Sequence, residues 1–118
     1  MMAFHANWFY VAIFSTGLVG LAGVVFAVAK REPGPWFVWA RVGAISAMLV
    51  QIAAGVILYQ QGHRPGNGFH VFYGIVIAFT FTFAYMYRTQ LSRRSALGYG
   101  LLLLFVMGLG LRAWANVN

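Results

Sequence analysis

The chain has no cysteine, no aspartate and only one acidic residue, Glu32, among 118 residues. Without cysteine there can be no disulfide, no thiolate metal site, no iron–sulfur cluster and no covalently attached c-type haem. A single carboxylate excludes acid–base dyads, calcium cages, aspartate-dependent triads and carboxylate proton relays within one chain. Neither HExxH nor a glycine-rich phosphate loop occurs. The inventory is too thin for catalysis by this chain alone, and an enzyme is not expected. Charged residues make up 8% of the chain, against about 25% in a soluble domain.

What fills the chain instead is apolar sequence, 62% of it, gathered into four runs. They are Ala6 to Ala29, Trp36 to Gln60, Gly68 to Tyr87 and Ser95 to Trp114. Each is long enough for a helix to cross a hydrocarbon core of about 30 Å. Backbone groups inside lipid must satisfy one another, so the expected form is helical. The fold expected is an all-α, four-helix transmembrane bundle in a single membrane domain, residues 1–118. The joints are short, which imposes up-down-up-down packing. The first, Lys30 to Pro35, carries Pro33, Gly34 and Pro35. The second is the turn-rich Gln61 to Asn67, and the third is Arg88 to Arg94, with Ser92 available as a helix cap.

The basic residues orient the bundle. Lys30, Arg31, Arg41, Arg88, Arg93 and Arg94 fall on one side, Arg64 and Arg112 on the other. Six against two predicts cytoplasmic first and third joints, with both termini outside. A bacterial inner membrane is the expected setting. Arg41, inside the second run, can snorkel to the inner headgroups. Trp36, Trp39, Tyr85, Tyr87 and Tyr99 then form the inner aromatic belt, and Trp8, Tyr10, Tyr59, Tyr73 and Trp114 the outer one. The net charge of +7 sits at helix ends, so it addresses anionic lipid headgroups rather than nucleic acid. The opening Met-Met-Ala-Phe-His lacks a basic n-region, and the first run is expected to be a retained helix.

Gly43, Ala47, Gln51 and Gly55 recur every four residues on the second run. Such a stripe lets helices approach closely; the alternative is that glycines make room for a flat cofactor. Gln51 can bridge helices or bind a quinone headgroup. Ser15, Thr16, Thr80 and Thr82 can bond back to their own helices. A faint internal repeat also appears. Phe4-His5 and Phe69-His70 each open a hairpin, and the interval from Arg41 to Gly55 equals that from Arg94 to Gly108. This would make two parallel helical-hairpin repeats.

The histidines are the polar residues with the most chemistry. His5, His63 and His70 all fall on the outer side, and His5 and His70 open helices that run in the same direction. Imidazole is a common ligand of haem iron and of metals. The two rings could therefore hold one b-type haem, with Tyr73 and Gly74 on the His70 face. Arg64 and Arg112 could receive its propionates. Two other readings stay open: interfacial or capping histidines with no ligand, and a three-histidine Zn²⁺ or Cu site that includes His63.

In length and helix count the chain resembles the small multidrug-resistance transporters, but its first helix lacks the acidic residue on which those depend. It is also similar in form to the small fluoride channels, whose weak charge bias it does not share. Four-helix b-type membrane cytochromes have the same general form, and that resemblance implies haem ligation by His5 and His70. The stretch Gly68-Phe69-His70-Val71-Phe72-Tyr73-Gly74, with Arg112 closing the last helix, resembles a group of small uncharacterised bacterial membrane proteins. That likeness implies the fold and no activity. Three functions remain in view. One is an accessory subunit of a membrane electron-transport complex, holding one haem. Another is a cofactor-free structural subunit bound to other membrane subunits or to copies of itself. The third is a small oligomeric transporter or channel.

Overall fold

A computed structural model describes residues 2–63 and 65–116. Four long helices form the bundle: α1 (Met2–Val28), α2 (Trp36–Gln60), α3 (Gly68–Met86) and α5 (Ser95–Ala115). Each is long and apolar enough to span a membrane. The chain is a small integral membrane protein. The bundle is 47 Å along its longest axis, close to the thickness of a bilayer with its headgroups, about 40–45 Å.

α1 packs most extensively on α5 and α2, and α3 leans mainly on α5. α2 and α3 scarcely touch, so one side of the bundle is open. All four spans meet in one core, with Ala12 and Ile13 from α1, Met48 from α2, Ile77 and Phe81 from α3, and Val106 and Leu109 from α5. The outer faces are equally apolar. Phe14, Leu18, Leu21, Val25 and Val28 form an exposed stripe along α1. Large contiguous apolar surface of this kind is unfavourable in water and suited to acyl chains.

The seam between α1 and α5 is made of backbone. A Cβ on Gly23 would lie 2.5 Å from the Ala96 carbonyl oxygen, and one on Gly100 would lie 2.9 Å from the Val24 nitrogen. With no hydrophobic drive between helices in lipid, this close approach supplies dispersion contacts that larger residues would prevent. The hydroxyls need no partner elsewhere. Thr16, fully buried, donates to the Ala12 carbonyl at 2.8 Å, and Thr80 donates to Val76 at 2.8 Å.

Two helix ends share one geometry. At the end of α1, Lys30 N–H donates to Ala27 O and Arg31 N–H to Phe26 O. At the end of α2, Gly62 N–H donates to Tyr59 O and His63 N–H to Leu58 O. Both are Schellman closures, which need a left-handed residue. Lys30 has φ 55° and Gly62 has φ 88°. Nothing lies within 4 Å of a Cβ built on Gly62, so a side chain there meets only conformational strain. Gly62→Ala should lower stability by about 1 kcal/mol, and Lys30→Gly should not lower it. Thermal unfolding in mild detergent measures both.

The third joint departs from its reading as a loop. Arg88–Arg93 form a short helix, α4, after a break at Tyr87. Ser92 lies inside α4 and does not cap α5, whose N-cap is Arg94 without a side-chain hydrogen bond. Tyr99 differs as well. It is buried in the bundle rather than set in an aromatic belt, and the Arg41 guanidinium lies over its ring at 4.1 Å. The cation finds a π face within the bundle.

Candidate functional site: the His5–His70 pair

The second joint is tied down so that α3 starts at a fixed place. Asn67 is extended, and its side-chain oxygen accepts from Phe69 N–H at 2.9 Å. Its amide also donates to the Asn116 side chain at 3.3 Å, and Asn116 donates to the Arg112 carbonyl at 2.8 Å. The entrance of α3 is thereby held beside the end of α5, and His70 follows in the first turn.

There His70 Nδ1 lies 2.6 Å from the Ala113 carbonyl oxygen. A carbonyl only accepts, so the ring donates from Nδ1. The carbonyl lies in the last turn of α5, where it also accepts from Asn116 N–H at 3.2 Å. In the neutral ring the lone pair then sits on Nε2. An N–H fixed by a carbonyl is also the usual outer-shell arrangement of a ligating histidine.

α1 delivers His5 to the same place through the small-residue stripe of α2. Trp8 Nε1–H donates to the Ala47 carbonyl at 2.8 Å, and the Gln51 amide donates to the His5 carbonyl at 2.8 Å. Gly55 completes the seat: a Cβ there would stand 3.1 Å from His5 Cε1. Gly43, the fourth member of the stripe, has nothing within 4 Å of such a Cβ. The stripe therefore seats α1 over three of its four positions, and Gln51 bridges helices.

The two rings meet across the bundle. Their centroids are 6.3 Å apart and their planes stand at 81°. His5 Nδ1 is buried with no hydrogen-bond partner, as is Gln51 Oε1. Two imidazoles on opposite sides of one metal, each bonded at about 2 Å, place their centroids about 6 Å apart. The spacing fits a bis-histidine site.

The other residues expected at the site are distributed more widely. Tyr73 is half-buried against the core, with Phe69 tilted against its ring and Phe72 edge-on to it. Gly74 has open space where a Cβ would stand. Arg112 is exposed and lines a cavity of about 150 Å³ with Phe105, Gly108 and Leu109, none of them a ring of the pair. Arg64 lies outside the described residues. His63 is exposed, and among the described residues no three histidines or acids gather as a metal site.

Sequence reasoning did not find the Ala113 carbonyl or the seat provided by Gly55. A backbone carbonyl leaves no mark in sequence. The asparagine before Gly68 was the readable signal for the start of α3. Compared with family models, curated proteins and solved structures, the chain matches none.

Proposed function

We propose that this protein is an accessory subunit of a membrane electron-transport complex, in which His5 and His70 would hold one b-type haem near the outer face. The observation that carries the reading is the facing pair of rings, one with its Nδ1–H fixed on Ala113 and the other with an unpartnered nitrogen. The weak contact between α2 and α3 supports it, because a flat group can enter there from the lipid side. Gly74, open on the His70 helix, adds room. Bound haem supplies one-electron transfer; this chain's residues fix the ring orientations and keep the site within a low-dielectric setting. The charge bias supports an orientation with both termini outside.

The test is an oxidised-minus-reduced spectrum of protein purified from its native membrane. A b-type α-band at near-stoichiometric haem is the expected result, with the Soret band lost in His70→Ala. A flat spectrum from folded protein overturns the proposal.

One set of observations favours a second reading, a cofactor-free structural subunit. Trp8, His5 and Gln51 already latch α1 to α2, and His70 already caps α5. On that reading His70→Ala removes only a cap, and a loss of about 1 kcal/mol is expected in a protein with no chromophore.

A further inference from the structure

The end of the bundle away from the histidines holds a cavity of about 200 Å³ between the first joint and the start of α5. Ala27 comes from the end of α1, Lys30, Arg31 and Glu32 from the joint, Arg94 from the N-cap of α5, and Ala96 and Leu97 from its first turn. Three cations against one acid leave this small space with a formal charge of +2. No ion pair ties Glu32 to any of them among the described residues.

We infer that this cavity is a binding site for a phosphate-class anion, the phosphodiester of an anionic glycerophospholipid. Three features of the lining match that chemistry. The guanidinium groups of Arg31 and Arg94 have the planar fork that pairs with two phosphate oxygens at once. Lys30 adds a point charge. Ala27, Ala96 and Leu97 are apolar and lie within the two spans, while the cations lie at their ends. The cavity is therefore amphiphilic along the membrane normal, as a lipid is. The first-turn N–H groups of α5, which no side chain caps, point the same way but do not carry the argument alone. A charged pocket between spans at the cytoplasmic interface is a known form of anionic-lipid site. Glu32 opposes an anion, so its carboxylate sets the affinity below what three cations would give.

The full chain in phosphatidylcholine nanodiscs, titrated with phosphatidylglycerol, tests this by native mass spectrometry and by the unfolding midpoint. Saturable retention of one phosphatidylglycerol is expected. The Lys30→Gln/Arg94→Gln double variant should bind at least about tenfold more weakly. Arg88→Gln/Arg93→Gln removes the same charge from α4, outside the cavity, and should leave affinity within about twofold. Glu32→Gln should bind more tightly. Equal losses in the two double variants would show diffuse attraction and overturn the site, as would the absence of saturable binding. Inorganic phosphate supplies the second arm. If it saturates the protein with the same dependence on Lys30 and Arg94, the anion site stands and its occupant is soluble phosphate. If it does not compete, the lipid's apolar part is required. The unfolding midpoints of the lipid-free variants show whether each is folded, so a lost fold is not read as a lost site.

Discussion

Gly23→Ala is expected to lower unfolding stability by about 2–3 kcal/mol, far more than one methyl group costs at most positions. The added carbon would stand 2.5 Å from the Ala96 carbonyl oxygen and 3.0 Å from Gly100 Cα. Both are backbone atoms of α5 and neither can turn aside. The helices must separate, and every contact along the seam lengthens with them. Leu103 and Val106, both at 0% exposure, lie along the same helix and lose part of their packing. Gly100→Ala should behave alike, because its Cβ meets the Val24 nitrogen and the Gly20 carbonyl oxygen.

Two comparisons make the argument testable. At Gly17 a Cβ meets the Met107 sulfur at 2.6 Å, and at Gly110 it meets Ile13 Cδ1 at 2.8 Å. Those distances are also short, but the atoms are the ends of flexible side chains that can rotate away. Gly17→Ala should therefore cost about 1 kcal/mol or less. Gly43→Ala and Gly108→Ala, with nothing within 4 Å, should cost nothing and gain slightly in helix propensity. Reversible unfolding in mixed micelles gives all five values. A uniform cost across the series would mean that backbone contact is not what holds α1 on α5.

Gly55→Val should break the histidine pair while leaving the bundle assembled. A Cβ at this position already crowds His5 Cε1 at 3.1 Å, and the two further carbons of valine occupy the space that the ring holds. His5 must swing off α2, and its distance from His70 is no longer set. On the proposed haem reading, haem per protein should fall by at least about tenfold, as in His5→Ala, at a stability cost of about 1–3 kcal/mol. Gly43→Val, on the same stripe but facing open space, is the control and should retain its haem. Full occupancy in Gly55→Val would show that His5 does not hold the haem. The pair of variants thus separates loss of the site from loss of the fold.

The spans were legible because hydrophobic length alone defines them. α2 begins and ends where its apolar run does, and α5 extends its run by one residue. α1 begins at Met2, four residues before its apolar run, because polar His5 interrupts the hydrophobic signal without interrupting the helix. α4 was missed because Arg88 to Arg93 is polar, and a polar segment at a membrane surface can be helix or loop with equal ease. The choice of neighbours was not legible at all. Glycines on α1 and α5 both announce close packing, yet nothing in either sequence says that they face each other. Adjacency in the chain favours α2 as the main partner of α1, and α5 holds that place instead. The facing of His5 and His70 followed from their similar depth and parallel helices. The atoms that orient them did not, since they are a carbonyl and an absent side chain. The faint repeat does not extend to equivalent roles: Gly55 seats a histidine, and Gly108 meets nothing.

The seam between α1 and α5 also sets an order for biogenesis. The residues that interlock there, Gly20 and Gly23 with Ala96 and Gly100, lie on helices far apart in the chain, and α1 leaves the ribosome well before α5. α1 enters the bilayer with its glycine face turned to lipid and cannot find its principal neighbour until α5 has been made. α2 gives it an interim mooring through Trp8 and Gln51. Insertion and assembly are therefore separate events for this chain. Between them lies an interval in which the α1 glycine face is open to any other helix in the membrane.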